Sequence, residues 1–240
     1  MLASLILLEL SALPGDPPAR VAAYAQDTTA APKERSAFCV RVLEPAAGKV
    51  HDLDVSPDGA RFLVGCENGH AYVYEREIGA LLRDVFAGSG PALDVEFDPT
   101  GARLLVVQPA QTRVWNATTF ELERTLAGQK LGMLHARFSP DGRKVATGSA
   151  GSGAEPTAES EARLWDLAVD EPIAVVPVQG WRVEPEFSPD GATLLVSSES
   201  SSHLTLVQVD RAHAIRTFEG PAARVAHAAW SPDEIGRAHV

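Results

Sequence analysis

The chain has 240 residues, 45% hydrophobic and 6% aromatic, enough for one or two packed domains with an aliphatic core. Its net charge of −11 argues against nucleic-acid phosphates and anionic membrane surfaces as main partners, and serves solubility. Two cysteines, Cys39 and Cys66, lie in apolar strand-like surroundings; a secreted disulfide scaffold carries more, so both are expected as buried free thiols.

From the N-terminus, Leu2 to Leu13 form an apolar run too short to span a bilayer as a helix. Ala23-Tyr24-Ala25 resembles a signal-peptide cleavage site. No Lys or Arg precedes the run, Glu9 interrupts it and a proline-rich stretch follows. A cytoplasmic location is favoured; a secreted or periplasmic one follows if residues 1–25 are a signal peptide. Residues 1–36 are expected to be an apolar segment and a linker, without fixed structure over 14–36.

From residue 37 the chain repeats. Ser56-Pro57-Asp58-Gly59 returns as Asp98-Pro99-Thr100-Gly101, Ser139-Pro140-Asp141-Gly142, Ser188-Pro189-Asp190-Gly191 and Ser231-Pro232-Asp233, at intervals of 42, 41, 49 and 43 residues. Proline presets φ, Asp bonds the local backbone and Gly accepts positive φ, so each copy predicts a tight turn. Strands are expected before it (Val50 to Val55, Ala92 to Phe97, Met133 to Phe138, Arg182 to Phe187, Val225 to Trp230). Others follow it (Arg61 to Val64, Arg103 to Val107, Lys144 to Thr147, Thr193 to Val196). Third strands are Ala71 to Tyr74, Thr112 to Trp115, Ala162 to Trp165 and Leu206 to Val209; fourth strands include Leu122 to Leu126 and Ala214 to Phe218. Short aliphatic runs of this kind suit strands buried on both faces. Four strands per period of this length make one propeller blade.

Trp165-Asp166, with Trp115-Asn116, Tyr74-Glu75 and Val209-Asp210 as weaker copies, resembles the signature of the WD-repeat β-propeller family. The resemblance implies an all-β fold of four-stranded antiparallel blades: about four blades plus one strand, an incomplete ring. The units are residues 49–87, 92–127, 133–178, 182–219 and a partial 225–233. It also implies a non-catalytic scaffold that holds protein partners and needs no cofactor; the alternative is a sensor or regulatory propeller of a larger enzyme, such as a kinase or hydrolase. The family's Gly-His is replaced at every copy, by Gly88-Ser89, Gly128-Gln129, Gln179-Gly180 and Gly220-Pro221. These blades are therefore expected to rely on aliphatic packing, without the family's Trp-linked polar network. The longest interval is assigned to an extra loop over Gly151 to Glu161, a surface insertion or a recognition loop.

After Asp233 the repeat calls for glycine and another strand, but the chain reads Glu234-Ile235-Gly236-Arg237-Ala238-His239-Val240. Codons for this string spell a common sequencing adapter, so residues 234–240 are expected to be a non-native tail, with the natural protein continuing.

No Gly-x-Ser-x-Gly elbow, Cys-His pair, phosphate loop or metal-ligand spacing stands out. One constellation does. Four residues before each turn stand Asp52, Asp94, His135, Glu184 and His227. By resemblance these lie near one rim of the central channel, where they form part of a docking ring with Trp181 and Arg182 as an aromatic and cationic anchor. The competing reading is that they bond the backbone and loops of neighbouring blades.

Overall fold

The computed structural model describes residues 6–9, 20–23, 48–129, 131–149, 159–198, 201, 203–219, 228 and 230. The repeated turn builds itself as its chemistry predicts. In the first copy the Ser56 hydroxyl donates to Asp58 Oδ1 (2.6 Å) and accepts the Arg61 amide (2.9 Å), while Ala60 N–H donates to Asp58 Oδ1 (2.9 Å). Gly59 closes the turn onto the Ser56 carbonyl with φ of 67°, a conformation that glycine adopts without Cβ strain. In the second copy the roles exchange: Asp98 accepts the Arg103 amide (3.0 Å) and the Thr100 hydroxyl (2.8 Å), so Asp-Pro-Thr-Gly makes the same turn.

Each turn joins the first two strands of an antiparallel sheet. The first blade comprises β3 (Val50–Val55), β4 (Arg61–Cys66), β5 (His70–Glu75) and β6 (Leu81–Phe86). The second has β7 (Asp94–Phe97), β8 (Arg103–Gln108), β9 (Gln111–Asn116) and β10 (Leu122–Ala127). In the third are β11 (Met133–Phe138), β12 (Lys144–Ser149), β13 (Glu159–Asp166) and β14 (Pro172–Gln179), and in the fourth β15 (Val183–Phe187), β16 (Thr193–Ser198), β17 (His203–Gln208) and β18 (His213–Glu219). Upstream, β1 (Ile6–Glu9) pairs with β2 (Arg20–Ala23), the latter inside the segment whose sequence suggests no fixed structure. Among the described residues there is no helix, and broad packing joins consecutive blades only: an open arc.

The aliphatic second strands work because successive side chains face opposite blades. Leu104 and Val106 pack against Leu63, Val73 and Val85 of the first blade, whereas Leu105 and Val107 pack with Met133, Ala136 and Phe138 of the third. Leu194 and Val196 close the third seam with Ala146, Leu164 and Val183. Full burial of each such side chain contributes about 1.5–3 kcal/mol. Cys66 is buried as a free thiol, as expected; Cys39 lies outside the described residues.

Several strands differ from expectation for local reasons. β7 begins only at Asp94, because Ala92 N–H turns aside to the Cys66 carbonyl of the first blade (2.9 Å). β15 starts at Val183, because Arg182 has φ of 55° and cannot extend the ladder. β17 runs from His203 and ends before Val209, whose amide donates to the Ala192 carbonyl. The expected insertion shortens, since Glu159–Glu161 pair with Pro177–Gln179 inside β13; residues 150–158 lie outside the described residues. Of the expected strand over Val225 to Trp230 only Ala228 and Trp230 are described, and both pack near Leu195 and Leu204 of the fourth blade.

The third blade corrects the expectation that no Trp-linked network survives. Trp165 Nε1 donates to the Thr147 hydroxyl (3.0 Å), which also receives Gln129 Nε2 (2.9 Å). Gln129 stands where the family's histidine would and supplies the same donor. The equivalent of Thr147 elsewhere is Val64, Val106 or Val196, so that position carries no hydroxyl in the other blades.

Candidate partner-binding site on the innermost strands

β3, β7, β11 and β15 are the first strand of each blade, and they neighbour one another in succession. Antiparallel order puts the starts of these strands at the rim that also carries the connections between blades and between second and third strands. Asp52, Asp94, His135 and Glu184 occupy those starts; His227 lies outside the described residues.

Two of them reach across to the next blade. Asp52 Oδ2 accepts Val95 N–H (2.9 Å), and Asp94 Oδ2 accepts Ala136 N–H (3.0 Å) and the Arg137 guanidinium (2.8 Å). His135 sits between two carboxylates, its Nδ1 3.6 Å from Asp94 Oδ2 and its Nε2 3.7 Å from Glu184 Oε1. The row thus runs through all four blades.

A second row, two residues further along each strand, was not singled out by the sequence reading. Asp54 Oδ2 accepts Phe97 N–H (2.6 Å) and Glu96 Oε2 accepts Phe138 N–H (2.8 Å). The signal was available: Asp54, Glu96, Arg137 and Glu186 are polar at the i+2 position of each strand, interleaved with apolar partners such as Val95 and Phe97.

Burial and mutual repulsion set the charges. Burial, then the Asp94 charge, push Asp52 up to about 7. Glu96 is pushed up to about 8, mainly by burial, with Arg137 opposing. Asp94 is buried too, yet His135 and Arg137 outweigh that burial and hold its carboxyl below the usual range. Burial raises Asp54.

At the same rim Trp181 is 38% exposed and precedes Arg182, the residue with positive φ. Just before them, Gly180 accepts the Ser160 hydroxyl and the Gln179 carbonyl accepts the Ser198 hydroxyl (2.8 Å), so the connector is pinned on both sides. The corner therefore presents a large aromatic from a fixed backbone.

No cluster of His, Cys, Asp and Glu that could hold a metal ion occurs among the described residues. No helix there is long and apolar enough to cross a membrane. A family model described as WD domain, G-beta repeat matches residues 37–75, which contain β3, β4 and β5. No curated protein matches the chain significantly. This match on the first blade, with the same strand order in the three that follow, supports a WD-repeat family.

Proposed function

We propose that the protein is a non-catalytic scaffold that presents the rim around Trp181, Arg182, His135 and Glu184 to protein partners. The observation that carries this reading is the exposed Trp181 on a pinned corner, a residue type that dominates binding energies when partner surfaces bury it. Asp52 and Asp94 support the rim by fixing neighbouring blades, and His227 has the same sequence spacing from its turn. The net charge of −11 favours proteins over nucleic acids as partners.

The test is a photo-crosslinking amino acid at position 181 in the full chain, identification of what it captures, and direct titration of that purified partner. Trp181→Ala should leave the melting temperature within about 2 °C and weaken binding by about 30-fold, the loss typical of a buried anchor. Unchanged affinity, or a large fall in thermal stability showing Trp181 to be core, would overturn the assignment.

A further inference from the structure

Arg113 of β9 is a cation that lacks a counter-ion. Arg61, Arg103, Arg124, Arg137 and Arg163 each donate to a carbonyl or a carboxylate. Among the described residues the Arg113 guanidinium donates to neither, and its Nε is buried without an acceptor. A half-buried guanidinium in that state has lost water without gaining a partner.

Its surroundings are rigid. The guanidinium lies against Gly88, in the connector between the first and second blades. A Cβ built at Gly88 would stand 2.7 Å from Arg113 Nη1, 3.0 Å from Gln108 Oε1 and 3.4 Å from Gln111 Nε2. Three polar side-chain ends from β8 and β9 thus converge on one point at the rim. Gln108 is 1% exposed and ties down the connector by donating from Nε2 to the Gly88 (3.0 Å) and Gly90 (2.8 Å) carbonyls, while its Oε1 has no donor. Gly69 backs the same two carbonyls, which a Cβ there would meet at 2.4 and 2.7 Å. Ser89 and Gly90 are exposed and leave the approach from solvent open.

The third blade holds the same arrangement in completed form. Arg163 precedes Trp165 by two residues, as Arg113 precedes Trp115, and its Nη1 would lie 3.3 Å from a Cβ at Gly128. There Glu161, two residues upstream, accepts both Nε and Nη2 through Oε1 at 2.8 Å each. In the second blade the position of Glu161 belongs to Gln111, whose neutral amide cannot balance the charge. We propose that Arg113 and Gln111, framed by Gln108 and Gly88, form a receptor for one acidic side chain of a protein partner, whose carboxylate takes the place beside Arg113 that Glu161 takes beside Arg163. The guanidinium supplies the charge-assisted donors and Gln111 Nε2 a neutral one. A single cation suits a single carboxylate, and the net charge of −11 disfavours polyanions. The receptor lies on the first seam and Trp181 beside the third, so either assignment can fail without the other.

The experiment follows the Arg113 and Arg163 Nε–H signals by proton–nitrogen NMR at constant ionic strength. The probe is N-acetylglutamate N-methylamide, with its glutamine counterpart and inorganic phosphate as controls. The carboxylate probe should shift the Arg113 signal saturably and leave Arg163, already paired with Glu161, in place. The glutamine counterpart should move neither. Gln111→Glu, which copies the third blade, should fill the receptor from within and weaken the probe about tenfold. No saturable shift at Arg113, an equal shift with the glutamine counterpart, a larger one with phosphate, or undiminished binding in Gln111→Glu would overturn the proposal.

Discussion

Gly148→Ala tests how closely the blades are fitted. Gly148 lies in β12, where it pairs with His135 on one side and Ala162 on the other. A Cβ built there would stand 1.9 Å from the Val183 carbonyl oxygen, 2.8 Å from its carbon and 3.0 Å from Pro185 Cδ. The obstacle is backbone, and that backbone is held by the pairing of Val183 with Ser198. Reaching an ordinary contact of 3.4 Å requires the two strands to part by about 1.5 Å. That movement prises Val183, Leu194 and Val196 from Ala146 and Leu164. Overpacking costs about 1–3 kcal/mol, and this rigid case belongs at or beyond the upper end. With a urea m-value of about 2 kcal/mol/M, the unfolding midpoint should fall by about 1.5 M with little change in m. Gly65→Ala gives the internal scale. Its Cβ would meet the Ala92 carbonyl oxygen and Val95 Cγ1 at 2.9 Å each, so its loss should be smaller. Gly148→Ala within 0.5 kcal/mol of the natural chain, or milder than Gly65→Ala, would refute the reasoning.

Thr147→Val leaves the buried Trp165 Nε1 without its acceptor and should cost about 1–3 kcal/mol, with part recovered in Thr147→Val/Trp165→Phe; a neutral single variant would show that the relay contributes nothing. Burial pushes the Cys66 thiol up to about 11, so in a Cys39→Ser background labelling by a thiol reagent at pH 8 should be slow when folded and fast in urea. Rapid labelling of the folded chain contradicts this. The Ser188 hydroxyl, then the Ala192 amide, hold Asp190 below the usual carboxylate range, so its contribution is present at neutral pH and lost as pH falls below about 4. Asp190→Asn should therefore be less stable than the natural chain at pH 7 and converge with it near pH 2, by urea midpoint; a constant gap would place the effect elsewhere.

The blades were legible because their signals are local. Ser-Pro-Asp-Gly fixes a turn within six residues, and period-2 apolar runs fix the strands beside it, so β3 and β11 fall where the sequence puts them. What escaped was non-local. Nothing near Ala92 says that its amide serves the first blade, and nothing near Arg182 announces a positive φ. The candidate site was half legible. The spacing of Asp52, Asp94, His135 and Glu184 from the turns placed them on one rim, but only the pairing of blades shows that Asp52 and Asp94 grip backbone amides. The row of Asp54 and Glu96 was visible at the i+2 positions, and became meaningful only with Phe97 and Phe138 set opposite.

The surviving Trp network has a physical reason in the packing of its own blade. β8 presents Leu104, Leu105, Val106 and Val107 to its two neighbours, and β16 presents Leu194, Leu195 and Val196. β12 reads Lys-Val-Ala-Thr-Gly-Ser, with Ala146, Thr147 and Gly148 where β4 carries Leu63, Val64 and Gly65, β8 Leu105, Val106 and Val107, and β16 Leu195, Val196 and Ser197. Ala162 faces the same seam as Ala146 and adds little area. A blade with so small a middle strand buries less apolar surface, and burial is the term that orders the other blades. In its place the third blade has directed contacts: Trp165 fills the space beside Val145, and its indole nitrogen is fixed by Thr147 and Gln129. Small residues also let Val183 approach Gly148 closely enough to leave no space for a methyl group. The polar relay thus accompanies a thin second strand, and the close approach, which Gly65 shares in milder form, is tightest at Gly148, so substitution there should cost more than at Gly65.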